Sequence, residues 1–118
     1  MENYYFRGNT LVFPFSLQNE DEEEVKFEVD DILRFGAKES IYSDEYALYK
    51  EIVISEETSE IQFEFETEET QKLKPRNYII ELELTRGNIV STVYQESILI
   101  KGAVIRYVPK DNSSTETA

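Results

Sequence analysis

Much of the chain consists of short segments in which apolar and polar residues alternate, the pattern of β-strands with one buried face. Residues 60–66 show it most clearly, because Ile61, Phe63 and Phe65 alternate with residues that are all polar. Long helical segments do not alternate with these strands, so a parallel sheet is not indicated. The pattern predicts strands over residues 10–17, 25–29, 32–38, 46–54, 60–66, 78–84 and 89–100.

Several positions are expected to modify these strands. Pro14 cannot donate to a sheet ladder, which favours an edge strand or a break where the strand changes sheets. Gly36 is typical of a bulge or of close approach by another group. The apolar phase of the last strand changes near residues 95–96, which predicts a bulge there. Residues 67–73 are rich in helix formers and predict one or two helical turns, with Thr67 as the N-cap.

Residues 73–78 predict a corner that leads into the strand over residues 78–84. Pro75 fixes its own φ and lacks a backbone donor, so the chain is expected to turn there. Tyr78 follows this turn at the start of a strand, as does the tyrosine corner of immunoglobulin-like sandwiches. We therefore expect Tyr78 to be structural, with its hydroxyl bonded to nearby backbone.

Together these elements predict an all-β fold, an immunoglobulin-like antiparallel β-sandwich of seven or eight strands. One short helical turn is expected before the penultimate strand. A chain of 118 residues forms one domain. We assign residues 1–108 to the sandwich and expect residues 109–118, rich in Ser, Thr, Asn and Asp, to form a disordered tail. One sheet face is expected to be open and acidic.

The composition limits the chemistry, because the sequence contains no cysteine, histidine or tryptophan. Disulfides, thiolate and histidine metal sites, and Ser-His-Asp or Cys-His catalysis are excluded. Carboxylates remain, but Glu60, Glu64 and Glu66 alternate on one predicted strand face, as solvated surface residues do. We predict a protein without enzymatic activity, cofactor or metal, although the acidic residues 19–24 leave a calcium site as an open question.

The net charge of −13 argues against two classes of partner. Binding to nucleic acid depends on phosphate neutralisation by Lys and Arg, so we predict none here. Anionic membrane surfaces are disfavoured for the same reason. No apolar run approaches the ~18 residues of a membrane span, and the first residues show no signal-peptide pattern.

Two aromatic groups are candidate partner contacts. The first precedes the first strand and is expected either to pair as an extra strand or to dock on a neighbouring subunit. The second does not follow the strand alternation cleanly, and its rings are candidates for the exposed surface on which glycan-binding sandwiches stack sugars. The candidates are Tyr4, Tyr5 and Phe6 in the first group, and Tyr42, Tyr46 and Tyr49 in the second.

The order of the segments resembles that of a known family. Arg7-Gly8-Asn9-Thr10 opens an aromatic alternating strand, residues 68–78 read EETQKLKPRNY, residues 80–84 read IELEL, and Lys101-Gly102 ends the last strand. In this order they resemble small phage virion proteins and baseplate-protein N-terminal domains with an immunoglobulin-like sandwich. The resemblance covers about residues 7–105.

The resemblance also implies a function. Members usually have Asp where this chain has Asn9, and Gly before the Tyr where it has Arg76-Asn77, so Asn77 is expected to supply a left-handed or turn conformation. The family implies a non-enzymatic structural or accessory protein, made in the bacterial host cytoplasm, that assembles onto the head, tail or baseplate of a virion. Its implied partners are other virion proteins or further copies of this chain. A glycan-binding or host-adhesion module and an acidic inhibitor that mimics nucleic acid remain as alternatives.

Overall fold

The computed structural model describes residues 4–103, which form an all-β sandwich, as predicted. The predicted extension over residues 103–108, apart from Ala103, and the predicted tail over residues 109–118 lie outside the described residues. Within the described range the elements are β1 (Tyr4–Phe6), β2 (Leu11–Phe15), β3 (Leu17–Gln18), β4 (Glu24–Val25), β5 (Ile32–Lys38), β6 (Leu48–Val53), β7 (Ile61–Phe65), α1 (Thr67–Thr70), β8 (Arg76–Arg86) and β9 (Ile89–Lys101).

The larger sheet has the strand order β1-β9-β8-β5-β6, and β2 and β7 pair opposite it. Compared with an immunoglobulin-like sandwich, β9, β8 and β5 correspond to strands G, F and C, and β6 lies in the C′ position. All pairs are antiparallel except β1, which runs parallel to the end of β9. The predicted fold class is confirmed, including the single helical turn before the penultimate strand β8. Residues 4–103 hold nine strands instead of seven or eight, because β1 adds one and the strand predicted over residues 10–17 divides into β2 and β3. The N-terminal aromatic segment therefore pairs as an extra strand of its own sheet.

Aromatic rings fill the space between the two sheets. In β2 and β7 every second side chain is buried, which is the alternation that predicted these strands. Phe35 of β5 stacks on Phe13 of β2 with ring centroids 4.7 Å apart, and on Phe63 of β7 at 5.4 Å. Offset stacking of this kind adds to the burial of the rings themselves. Phe35 thus joins the larger sheet to both strands of the smaller one.

The prediction of a strand over residues 25–29 is wrong beyond its first residue. Only Glu24–Val25 pairs, as the short strand β4 against β3. Phe27 makes an isolated bridge, and Val29 is 55% exposed instead of pointing inward. The reason is a turn: Asp30 has a φ of 73°, and the Asp31 carboxylate accepts a hydrogen bond from the Glu28 N–H at 2.8 Å.

Two irregular features fall at different residues from those predicted. The bulge in β9 lies at Val93, between the pairs Leu82–Tyr94 and Glu83–Thr92, and not at residues 95–96. Helix α1 is a single turn whose N-cap is Glu66, not Thr67. The Glu66 N–H donates to the helix's own Glu69 carboxylate at 2.9 Å, as in a capping box. Helix α1 is the one helix among residues 4–103, and it is too short to cross a membrane.

The corner before β8 is closed by Tyr78, as predicted. Its hydroxyl accepts a hydrogen bond from the Lys74 N–H at 2.9 Å and donates one to the Lys74 carbonyl at 3.0 Å. Burial raises the pKa of the Tyr78 phenol, which keeps the donor protonated. Pro75 lies at the bend. Asn77 already lies within β8 and its φ is not positive, so the prediction that it adopts a left-handed or turn conformation is wrong. The two hydrogen bonds between the Tyr78 hydroxyl and Lys74 close the turn before Arg76.

An ion pair between the buried Asp31 carboxylate and the partly exposed Arg86 guanidinium ties the turn at residues 28–31 to the end of β8. The Asp31 side chain is almost fully buried and accepts hydrogen bonds from Arg86 Nε at 2.9 Å and Arg86 Nη2 at 2.6 Å. The guanidinium of Arg86 holds the pKa of the Asp31 carboxyl below its ordinary value. Because Asp31 also binds the Glu28 N–H, one carboxylate satisfies donors from two parts of the chain.

Replacing Tyr78 by Phe should destabilise the protein by about 1–2 kcal/mol, because both polar groups of Lys74 lose their partner in a half-buried site. Thermal unfolding should report a midpoint lowered by roughly 4–8 °C. Tyr42→Phe is the matched control, since that side chain is 87% exposed and its hydroxyl makes no contact among the described residues. Equal midpoints for the two variants would show that the clamp contributes nothing.

The Asp31→Asn variant should be less stable than the wild type at pH 7, by roughly 2 kcal/mol, because Arg86 loses its buried partner charge. The folded-state pKa of Asp31 is lowered, so its contribution is complete above the unfolded pKa and is lost as the pH falls through the folded pKa. In urea unfolding from about pH 7 down to about pH 2, the difference in unfolding free energy between the two proteins should begin to shrink below about pH 4. A constant difference in the unfolding free energy over this range would contradict the assignment.

Candidate binding groove

The outer face of the five-stranded sheet carries a concave site. Neighbouring residues of a strand point to opposite sheet faces, so the side chains that flank buried Phe35 point outward. Strand register then aligns them in cross-strand rows. One row is Glu51, Arg34, Glu83 and Thr92, and the next is Tyr49, Gly36, Glu81 and Gln95. Apart from Thr92, these rows form the floor of a groove of about 610 Å³.

Gly36 lets an aromatic ring close one side of the groove. A Cβ atom at this position would lie 2.6 Å from Cε1 of Tyr46, closer than any side chain tolerates. The predicted close approach at Gly36 is therefore confirmed, and the approaching group is the Tyr46 ring. Lys38 fixes the loop that carries this ring, since its ammonium donates to the Ser43 carbonyl at 2.8 Å and lies 4.6 Å from the Tyr46 ring centroid.

Tyr46 and Tyr49 form the aromatic part of the groove. Their ring centroids are 4.9 Å apart, and the ring planes are tilted by 37°. Both rings remain substantially exposed, Tyr46 at 56% and Tyr49 at 40%. Ile41, which is 57% exposed, adds an aliphatic contact from the loop before Tyr46. Exposed rings in this number require an explanation, because water solvates their faces poorly.

The polar part of the floor is held by reciprocal contacts. Arg34 donates from Nε to Glu51 at 3.0 Å and from Nη1 to Glu83 at 3.2 Å. The hydrogen bonds to Glu51 and then Glu83 raise the pKa of Arg34 above its ordinary value. Beside it, Gln95 Nε2 donates to Glu81 Oε1 at 2.9 Å. These hydrogen bonds fix the relative positions of the planar polar groups on the groove floor.

This arrangement is suited to non-covalent binding of a small ligand that has both an apolar surface and hydroxyl or amide groups. Its volume lies within the ~300–1,000 Å³ typical of small-ligand sites. In the described range no group of three or more Asp or Glu residues is placed to hold a metal ion, the acidic residues 19–24 included. There Asn19 Oδ1 instead accepts from the N–H groups of Asp21 and Glu23.

No protein-family model, curated protein or solved structure matches this chain. The groove must therefore be interpreted from its own residues.

The structure separates the aromatic residues singled out in the sequence. Tyr46 and Tyr49 meet in the groove, whereas Tyr42 is 87% exposed and does not line it. Tyr4 and Phe6 are exposed on the same sheet face, beyond the groove. Tyr5 is a poor candidate for a partner contact, because it packs into the core with its ring centroid 5.0 Å from that of Phe13.

The sequence analysis did not single out the polar residues of the groove. Arg34 pairs with Glu51 and Glu83, which are 17 and 49 positions away along the chain. Their outward positions on predicted strands could have been read from the sequence. The strand register that aligns them could not. The other residues missed in this way are Ile41, Glu81 and Gln95.

Gly36→Ala should displace the Tyr46 ring from the groove while leaving the fold intact, because the clash involves the end of an exposed side chain. We expect loss of the Tyr46–Tyr49 ring contacts in NMR nuclear Overhauser spectra and an unfolding free energy within about 1 kcal/mol of wild type. Gly102→Ala is the control, since its new Cβ would meet only Pro75 at 3.5 Å. Unchanged Tyr46 contacts in Gly36→Ala would show that the glycine is not required for the ring's position.

Proposed function

We propose that this protein is a non-enzymatic structural or accessory protein of a phage or prophage particle that assembles onto the virion through protein–protein contacts. The resemblance over about residues 7–105 supports the particle as its setting. The partners are other virion proteins or further copies of this chain.

One observation supports assembly through protein–protein contacts. Most exposed large apolar side chains of the described residues share the outer face of the five-stranded sheet. Exposed apolar side chains on one sheet face give a surface suited to a partner. On the opposite sheet the outward positions of β7 are polar, Gln62 and Glu64. The shared face carries Tyr4, Phe6, Ile41, Tyr46, Tyr49, Val53 and Val90.

Strand edges at this face add to the surface. On the side away from β5, no strand of residues 4–103 pairs with β6. Parallel pairing with β1 covers only Leu99 to Lys101 of β9, so the preceding part of β9 also borders the sheet. Unpaired strand edges accept strands from other chains. The net charge of −13 favours a partner with a basic contact surface.

Phe6→Asp should reduce incorporation of the protein into particles by about tenfold or more, because a charge would enter the apolar contact. Val12→Asp is the matched control: both side chains are 39% exposed, but Val12 lies on the smaller sheet. Copies per purified particle are counted by quantitative mass spectrometry, and thermal unfolding checks both variants for folding. Equal incorporation of both variants would rule out the outer face of the five-stranded sheet as the contact surface. A gene far from capsid, tail and baseplate genes, with purified protein that binds no virion component, would contradict the function itself.

Glycan binding, as in a host-adhesion module, is the second candidate. The observation that favours it is the meeting of Tyr46 and Tyr49 in one groove beside oriented polar side chains. Exposed rings that line one concave face are the feature by which glycan-binding sandwiches hold sugars.

A further inference from the structure

We propose that the groove takes an uncharged saccharide, with the Tyr49 ring against a sugar face and the Glu81–Gln95 pair holding sugar hydroxyls. This inference rests on the second candidate function, glycan binding, and specifies its ligand class and its contact residues.

On the aromatic side of the groove, the Tyr49 ring is the one with a face accessible to a ligand. Lys38 already lies over the Tyr46 ring, and the edge of that ring packs on Gly36. Tyr49 is braced by Tyr46 at 4.9 Å and has no cation among the described residues over its ring. A pyranose ring presents aliphatic C–H groups on one face, and burying that face on a preorganised aromatic ring is favourable.

The polar side lies across the floor from this ring. Tyr49 on β6 and Glu81 on β8 belong to the same cross-strand row, separated by Gly36 on β5. Two strand spacings put them about 10 Å apart. The Tyr46 ring packs on Gly36 and covers the floor between them. A ligand resting on Tyr49 therefore reaches the Glu81–Gln95 pair by extending past the Tyr46 ring.

The Glu81–Gln95 pair matches the hydrogen-bonding character of a sugar. A hydroxyl group both donates and accepts, and neighbouring hydroxyls present several such groups in a row. Glu81 supplies a carboxylate acceptor, and Gln95 supplies an amide with both a donor and an acceptor atom. Their mutual hydrogen bond at 2.9 Å fixes both planes before a ligand arrives, which lowers the entropic cost of binding.

Charge selects a neutral ligand over an anionic one. The two cations that line the groove are already engaged, Arg34 with Glu51 and Glu83, and Lys38 with the Ser43 carbonyl. Three carboxylates line the same groove, on Glu51, Glu81 and Glu83. The whole chain carries a net charge of −13. A sialylated or sulfated sugar would meet repulsion there without a cation to compensate it.

The test is a glycan array probed with the labelled full-length chain, including neutral hexose and N-acetylhexosamine oligosaccharides beside sialylated and sulfated ones. Neutral hits are then titrated by NMR into wild type and the variants Tyr49→Ala, Gln95→Ala and Tyr42→Ala. We expect Tyr49→Ala and Gln95→Ala each to weaken binding by about tenfold or more. Tyr42→Ala, a tyrosine lost outside the groove, should bind as wild type. Thermal unfolding of each variant separates loss of binding from loss of folding.

The outcomes distinguish the ligand class from the function. Neutral hits that depend on Tyr49 and Gln95 but not on Tyr42 support the proposal. Binding of anionic glycans alone would overturn the neutral class while glycan binding stands. Equal binding by a folded Tyr49→Ala variant would place the site elsewhere and overturn the groove. Absence of any glycan hit would overturn both this inference and the second candidate function. If Tyr49→Ala then prevents particle incorporation, the groove is a polypeptide contact.

Discussion

The packing of Phe35 is the interaction on which the rest of this structure depends. Its ring is fully buried and lies between 4.7 and 6.0 Å from the rings of Phe13, Phe15, Phe63 and Phe65. Those four rings belong to both strands of the smaller sheet. With no cysteine in the sequence, no disulfide can link the sheets, and the link is aromatic packing instead.

The same ring determines what faces solvent. Because neighbouring residues of a strand alternate, burying Phe35 places Arg34 and Gly36 on the outer face. Arg34 then meets carboxylates from the strands on either side, and Gly36 leaves the space that the Tyr46 ring covers. The groove is therefore a consequence of core packing in β5 combined with a loop that folds back over it. Its polar residues stabilise each other whether or not a ligand is bound.

Local patterns predicted the elements whose causes are local. Alternation located β5 and β7, since each has a fully buried face and a polar or mixed outer face. The tyrosine corner could be predicted because its hydrogen bonds join residues only four positions apart. Predictions failed where several local solutions compete. Val29 is exposed because Asp31 forms a turn instead of continuing the strand, and Asn77 is extended because the phenol of Tyr78 already closes the corner.

The sequence by itself determined the all-β class, the inward face of most strands and the structural role of Tyr78, because alternation and turn chemistry act over a few residues. It also set the available chemistry, since a chain without histidine or cysteine has few catalytic or metal-binding options. Only the tertiary structure decided which outward residues are neighbours. Strand register brings Arg34 to Glu83, and the fold of one loop brings Tyr46 to Gly36 and Tyr49. Register depends on the packing of the whole core, so no short stretch of the chain encodes the groove.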